Sequence, residues 1–215
     1  HAGANALELN FYYVATDGRE DGRAVERPVI DIVAVLKESL RLPLAVKVSP
    51  FYSSLPNLAA QLENLGADAL VLFNRFYHPD IDPERREAAL CLRYSDSSEL
   101  PLRLRWIAIL AGRTRMALTL TGGVHEPLDA VKALMAGADT VQMVSVLMHK
   151  GPEWLAQIRQ GVERWAEDHQ VASLQALRGC ASLSRCEDPR VFARGNYVEI
   201  LRRKSDSDGV AVSFS

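Results

Sequence analysis

The chain has 215 residues, of which 48% are apolar and 24% are charged, and its formal net charge at pH 7 is −2. This mixture is that of an ordinary globular domain with room for a sizeable core, and the small negative charge excludes a general attraction to nucleic acid or to an anionic membrane. No apolar run approaches the length of a membrane-spanning helix. From the net charge we expect no nucleic-acid partner, and from the net charge together with the short apolar runs we expect no membrane partner.

One short phrase occurs three times along the chain, and it predicts how the fold is organised. Each copy ends a helical pattern, continues with a glycine and then gives a run of strand-forming residues. The copies lie at 2–10, 65–74 and 136–145, around Gly3, Gly66 and Gly137. Because glycine commonly closes helices, each copy predicts a junction from helix to strand in a repeating βα architecture.

Two further strand-like runs lie between these junctions, at 44–49 and 116–121, and amphipathic helical patterns cover 29–40 and 127–136. Strands that alternate with helices predict a parallel sheet covered by helices. The predicted fold class is therefore α/β, a (β/α)8 TIM barrel truncated to about its last five βα units, because eight units usually occupy about 250 residues. We expect this partial barrel, beginning in mid-barrel, at 1–204 and a disordered tail rich in Ser, Asp and Gly at 205–215.

Alternation along the strands predicts which side chains enter the barrel lumen, since the outer face packs against helices and must be apolar. The residues expected to face the lumen are Glu8, Asn10, Lys47, Ser49, Asn74, Thr119, Thr121 and Gln142, and those expected to face outward include Val71 and Phe73. An inward lysine needs a partner, because desolvating an ammonium costs several kcal/mol. For Lys47 two partners fit: an anionic or electron-rich ligand, or Glu8 on the neighbouring strand.

The sharpest local motif is Thr121-Gly122-Gly123-Val124, which ends one strand just before the helix that starts near Pro127. Two glycines leave the backbone amides accessible, and a helix N-terminus favours an anion. Val144-Ser145 occupies the equivalent loop one strand later, and the loops after the last two strands form the usual phosphate site of such barrels. The alternative interpretation of the two glycines is a tight turn.

Together these residues resemble the dihydroorotate dehydrogenase-like FMN flavoproteins over about 2–204. Glu8-Leu9-Asn10, Val46-Lys47-Val48-Ser49-Pro50, Asn74, Thr121-Gly122-Gly123 and Val144-Ser145 match that family's landmarks in order. The resemblance implies an FMN-dependent oxidoreductase that transfers a hydride from a small organic substrate to flavin. It also implies that Lys47 lies beside the electron-accepting edge of the flavin and is catalytic, and that Asn10 and Asn74 hydrogen-bond substrate or flavin. The residues that it implies for the phosphate are Thr121, Gly122, Gly123, Val144 and Ser145.

The chain departs from the family after the first strand. Where the family has a Ser-Cys-Pro-Asn type segment, or a related one whose serine supplies the base, this chain has Phe11-Tyr12-Tyr13-Val14-Ala15. Tyr13 takes the place of the catalytic base, although an ordinary tyrosine pKa near 10 makes it a poor base at neutral pH. Flavin binding is therefore implied more strongly than dihydroorotate oxidation. Two interpretations fit the aromatic pair Tyr12 and Tyr13, which are packing and contact with a substrate. Two also fit His78 and His125, which are surface positions and roles as acid or base.

Two other functions are compatible with the sequence. One is a phosphate-binding barrel lyase or aldolase in which Lys47 forms a Schiff base. The other is a partial barrel without catalytic activity whose open sheet edges lead to a homo-oligomer. Three cysteines, Cys91, Cys180 and Cys186, have no metal-site spacing and leave one unpaired in any disulfide scheme, so we expect a reduced, cytoplasmic protein without a metal.

Overall fold

The computed structural model describes residues 3–75 and 78–193. Five parallel strands form one sheet in the order β1-β2-β3-β6-β7, and an antiparallel pair, β4 and β5, stands apart from it. The strands are β1 Leu7–Asn10, β2 Leu44–Val48, β3 Ala69–Leu72, β4 Asp80–Asp82, β5 Glu87–Ala89, β6 Ala117–Thr121 and β7 Thr140–Gln142.

Helices connect and follow the parallel strands. They are α1 Gly22–Ser39, α2 Leu55–Asn64, α3 Leu100–Leu110, α4 Pro127–Ala136, α5 Ser145–Lys150, α6 Trp154–Asp168, α7 Leu174–Leu177 and α8 Arg190–Ala193, with a short 3-10 turn at Ser97–Glu99. The predicted α/β class and the five predicted strands are confirmed. The predicted tail at 205–215 lies outside the described residues, and no helix within 3–75 and 78–193 is long and apolar enough to cross a bilayer.

The repeated phrase has a structural cause that goes beyond its glycine. Gly66 and Gly137 adopt φ values of +88° and +121°, which side chains other than glycine rarely adopt. The aspartate two residues later ties the next strand to its neighbour. Asp68 Oδ2 accepts the Leu44 N–H at 2.9 Å, and Asp139 Oδ2 accepts the Leu118 N–H at 2.8 Å. Each junction therefore ends a helix and fixes the start of a strand pair.

The strand register places Asn10 beside Lys47, Lys47 beside Val71, and Val71 beside Thr119. These four side chains share the concave face of the sheet, so the prediction that Val71 faces outward is wrong. The prediction for Phe73 is wrong as well, because Phe73 lines the same cavity as Lys47. All residues of β3 are apolar, so alternation along it carries no signal.

The opposite face of the sheet packs against the helices and forms the core. Val46, Leu70 and Leu118 lie side by side across three strands on that face, and each is buried. Burial of such aliphatic side chains stabilises the fold by about 1.5–3 kcal/mol each.

The sheet curls strongly. Its first and last strands, β1 and β7, are separated by three others, yet Gln142 Nε2 donates to Glu8 Oε2 at 2.7 Å across the concave face. A contact between the ends of a five-stranded sheet requires the curvature of a barrel wall. The carboxyl ends of the strands consequently converge on one side of the molecule.

Candidate functional site

Lys47 lies in a polar network on the concave face. Its Nζ is 3.3 Å from Glu8 Oε1 and 3.5 Å from Gln142 Oε1, and Gln142 in turn donates to Glu8. The ion pair with Glu8, one of the two partners that the sequence allows, is therefore present. The Lys47 side chain remains 20% exposed and also lines a cavity, so the ion pair does not remove it from reach of a ligand.

A cavity of about 350 Å³ lies at the carboxyl ends of the strands. It brings together most of the site residues predicted from the sequence, which are Lys47, Thr121, Gly122, Gly123, Val144 and Ser145. The segment between β5 and α3 supplies a further wall that includes Ser95. The Ser95 Oγ and backbone N–H both donate to Ser145 Oγ, at 2.9 and 3.1 Å, which joins this wall to the loop after β7.

The cavity is cationic. Lys47, Arg75, Arg93 and Arg103 line it, whereas none of its described lining residues is aspartate or glutamate. The carboxylates that pair with these four cations are Glu8, Glu99 and Asp80, so the cluster keeps one more positive than negative charge. The chain as a whole has a net charge of −2, so the positive charge is a local property of this cavity. A concave site with cationic residues in its wall attracts an anion more strongly than a single exposed lysine or arginine does.

Both glycines of the motif are required by the geometry of the loop. Gly122 and Gly123 adopt φ values of +84° and +79°. A Cβ on Gly123 would lie 2.7 Å from the Leu100 backbone nitrogen, and one on Gly122 would lie 3.0 Å from Nε and Nη2 of Arg103. The loop packs directly on the start of α3, which the interpretation as a simple tight turn does not explain.

Arg103 is a site residue that the sequence analysis missed. Its Nε donates to the Thr121 carbonyl at 2.8 Å, its Nη1 to the Glu99 carbonyl at 2.8 Å, and its Nη2 lies 3.1 Å from Glu99 Oε2. The pKa of Arg103 is lowered from its usual range by burial, and the Glu99 carboxylate offsets only part of this effect. The sequence does contain a signal for the burial of Arg103. Arg103 lies three or four residues along the helix from Leu100 and Ile107, which with Leu110 belong to the buried face of α3.

A second cleft, of about 620 Å³, lies between the loops that follow β1 and β2. Tyr13, Val14, Phe51 and Tyr52 form much of its wall, and none of its described lining residues is charged. Burial, together with the Glu26 carboxylate, raises the pKa of Tyr52 to about 12. This cleft and the cationic cavity both reach the end of β2, where Lys47 lines the cavity and Ser49, two residues later, lines the cleft.

Tyr13 is not placed to act as a base. Its hydroxyl donates a short hydrogen bond to Glu20, and this bond raises the pKa of Tyr13 above its ordinary value of 10.0. A neutral hydroxyl that already donates to a carboxylate does not accept a proton at neutral pH. The geometry therefore disfavours the catalytic role predicted for Tyr13.

The predicted amide ligands lie outside the cationic cavity. Asn74 is buried and its Nδ2 donates to the Phe11 carbonyl at 2.5 Å, whereas its Oδ1 is buried without a partner in the described part of the chain. Asn10 is exposed at the end of β1.

The two histidines differ in their surroundings. His78 is exposed. The His125 N–H donates to Asp129 and its carbonyl accepts from Trp154, while its Nε2 is buried without a partner among the described residues.

Comparison with known proteins gives one family. The family model described as dihydroorotate dehydrogenase matches residues 3–165. The catalytic subunit of dihydroorotate dehydrogenase B (NAD(+)) from Pelobacter propionicus is 32% identical over 151 residues, which are 69% of this chain and 49% of that protein. The subunits of the same name from Thermococcus kodakarensis and Citrifermentans bemidjiense are 28% and 30% identical over 83% and 77% of this chain, and 60% and 53% of their own lengths. The chain thus spans between half and three fifths of the length of these relatives.

Proposed function

Because the chain belongs to the dihydroorotate dehydrogenase family, we propose that it binds FMN and serves a flavin-dependent oxidoreductase reaction on a small organic substrate. The observation that carries this proposal is the cavity in which a double-glycine loop and four cationic side chains converge without a carboxylate in the described wall. A phosphate dianion is the ligand that such a wall favours.

The residues present fit FMN in two places. The phosphate would lie against the loop at Gly122 and Gly123 and beside Ser145, where Arg103 adds positive charge. The buried Oδ1 of Asn74 lacks a donor among the described residues, and an N–H of the flavin ring would supply one. When bound, FMN supplies a ring that accepts a hydride from a substrate.

Lys47 would act through its charge. Glu8 and Gln142 hold its Nζ on the concave face, so the ammonium is fixed before any ligand arrives. A preorganised cation at this position stabilises negative charge that develops on an electron-accepting ring. The same contacts argue against the lyase or aldolase hypothesis, because the Lys47 Nζ would have to leave Glu8 and Gln142 before it could attack a carbonyl carbon.

We further propose that the substrate is uncharged rather than dihydroorotate. The substrate named for the relatives carries a carboxylate, which needs a cation or several N–H donors. The cleft beside Tyr13 has apolar and aromatic walls and no cationic side chain among its described residues. Tyr13 also gives no base for removing a carbon-bound proton, since its hydroxyl donates to Glu20.

The test of flavin binding is an absorption spectrum and a released-flavin assay on purified protein, followed by titration with FMN. It is run on this chain and on the product of the complete gene. We expect a yellow protein that releases FMN. If neither protein binds FMN, the proposal is wrong.

A variant pair assigns the binding to the cavity. Gly123→Ala forces a Cβ to within 2.7 Å of the Leu100 nitrogen and should weaken FMN binding at least about tenfold. Gly18→Ala is the control, because a Cβ there meets no atom within 4 Å. Equal FMN affinity of the two variants would place the flavin elsewhere.

The lyase hypothesis has its own test. Borohydride reduction in the presence of a carbonyl substrate would link that substrate covalently to Lys47 if a Schiff base forms. Mass spectrometry of the peptide that contains Lys47 detects the link. We expect none.

A further inference from the structure

The guanidinium of Arg103 is built into the floor of the double-glycine loop. The residue is 6% exposed, and its three nitrogens are all engaged: two by the carbonyls of Thr121 and Glu99, and the third by the Glu99 carboxylate. The guanidinium also fills the space that a side chain at Gly122 would need. A charged group buried this completely carries a large desolvation cost, so its position calls for a reason.

We propose that Arg103 is the positioning residue that makes this site select a phosphorylated flavin over its unphosphorylated form. The inference rests on the proposed FMN binding. It concerns the phosphate group alone, and therefore predicts an effect on FMN and none on riboflavin.

The hydrogen bond from Arg103 to Thr121 orients the backbone of the double-glycine loop. The Thr121 carbonyl belongs to the same peptide group as the Gly122 N–H, and in a trans peptide the two point in opposite directions. Because Arg103 Nε holds the carbonyl at 2.8 Å, the Gly122 N–H is directed away from the guanidinium. Arg103 thus sets the orientation of the first N–H donor of the loop.

The ion pairs around Glu99 leave a net positive charge beside the loop. Glu99 forms ion pairs with both Arg103 and Arg75, so this three-residue network holds one more positive than negative charge. Both arginines line the cavity, whereas Glu99 is not among its lining residues. The carboxylate offsets the charge of one arginine, and a net positive charge remains for a dianion in the cavity.

The test compares FMN with riboflavin, which have the same ring and differ in the phosphate. The affinities of both are measured by flavin fluorescence quenching for the wild type, Arg103→Met and Arg103→Lys. We expect the wild type to bind FMN at least about tenfold more tightly, Arg103→Met to lose most of this ratio with riboflavin affinity unchanged, and Arg103→Lys to retain part of it. Arg105→Met is the matched control, because Arg105 lies on the same helix, is exposed and bonds the Phe192 carbonyl outside the site.

A second variant separates charge from structural support. Glu99→Gln removes a negative charge beside Arg103, so the FMN-to-riboflavin ratio should rise, whereas a purely structural network would weaken the binding of both ligands. Equal losses for FMN and riboflavin in Arg103→Met, or a lower ratio in Glu99→Gln, would overturn the inference. If neither this chain nor the product of the complete gene binds either ligand, the proposed function is refuted instead.

Discussion

Lys47 combines an ion pair with a position in the wall of the cationic cavity. Alternation along β2 places it in the lumen, and the structure pairs its Nζ with Glu8 at 3.3 Å. The sequence offered an ion pair or a ligand as its partner, and the residue forms the first while still lining the cationic cavity. The ion pair is therefore confirmed, and the contact with flavin stays a prediction.

Replacing this lysine should change the redox behaviour of a bound flavin. In Lys47→Met the cation near the ring is lost, so the two-electron midpoint potential of bound FMN should become more negative by about 30–60 mV, which corresponds to roughly 1.4–3 kcal/mol. Spectroelectrochemical titration measures this shift. Lys37→Met is the control, because Lys37 pairs with Asp68 on the helical side of the sheet. An unchanged potential in Lys47→Met would remove Lys47 from the flavin site.

The glycines of the site were predictable from the sequence, whereas Arg103 and the partner of Tyr13 were not singled out. Gly122-Gly123 stands at a strand end in a βα repeat, and a positive φ at both residues requires glycine. Tyr13 bonds Glu20, which lies seven residues away in an irregular loop where no periodicity indicates contacts. Arg103 follows helical spacing on the buried face of α3, but an arginine is ordinarily taken for a surface residue.

At the scale of elements, the repeated phrase contains a glycine whose effect is local and an aspartate whose partner is distant in the chain. The glycine predicts the end of a helix by its own conformation. The aspartate bonds a strand that lies 24 residues earlier in the chain, as Asp68 does with Leu44. A contact at such a separation has no local pattern in a single sequence.

Asp68 should make the stability of the sheet depend on pH. Its Oδ2 accepts the Leu44 N–H and the Lys37 ammonium, and these bonds lower the pKa of Asp68 below its ordinary 3.8. A lowered pKa in the folded state means that the unfolded chain binds the proton more readily. The stabilisation is thus present above about pH 3.8 and is lost as the pH falls through the folded-state pKa.

Urea unfolding of Asp68→Asn beside the wild type measures this contribution. At pH 7 the free energy of unfolding should fall by about 1 kcal/mol, a value that allows for the half-exposed side chain. The gap between the two proteins should narrow below about pH 3.8, as the wild-type carboxyl is protonated. Asp31→Asn, which breaks an exposed pair with Arg27, should cost less than about 0.5 kcal/mol. A gap that stays constant with pH would contradict the assignment.

Other elements were not predicted, for physical reasons. Strands β4 and β5 have three residues each and include Asp80, Asp82 and Glu87, so they lack both the length and the apolar alternation of a strand signal. Strand β3 was predicted, but its side-chain orientation was wrong, because a strand that is apolar on both faces does not reveal which face packs on helices.

At the scale of the whole molecule, net charge and local charge give different information. The formal charge of −2 predicted no attraction to a polyanion, yet one cavity has four cationic residues in its wall and the neighbouring cleft has no charged residue among those described. Composition averages over such differences. Arg75 follows β3, Arg93 follows β5 and Arg103 lies on α3, and the fold brings all three to the same cavity.

The arrangement of the sheet leads to a prediction about association. Within 3–75 and 78–193, β1 and β7 each pair with one neighbour, so one side of each strand offers backbone N–H and C=O groups to another strand. Leu7 on β1 is 42% exposed, which adds an apolar contact at this edge. Open, partly apolar edges favour pairing with a second chain. We therefore expect this 215-residue chain to form dimers or larger species whose proportion rises with concentration.

Sedimentation of three proteins decides whether the edge is responsible. The wild type should show species larger than the 23.8 kDa monomer, and Leu7→Lys should shift them toward the monomer, because a charge at a sheet edge opposes strand pairing. Val35→Lys places the same charge at an exposed position on α1 and should sediment as the wild type does. If the wild type is monomeric throughout the micromolar range, the sheet edges are protected. The hypothesis of a partial barrel without catalytic activity that associates through its open edges then loses its main physical argument. If Leu7→Lys and Val35→Lys dissociate the protein equally, association depends on net charge and the β1 edge has no specific part in it.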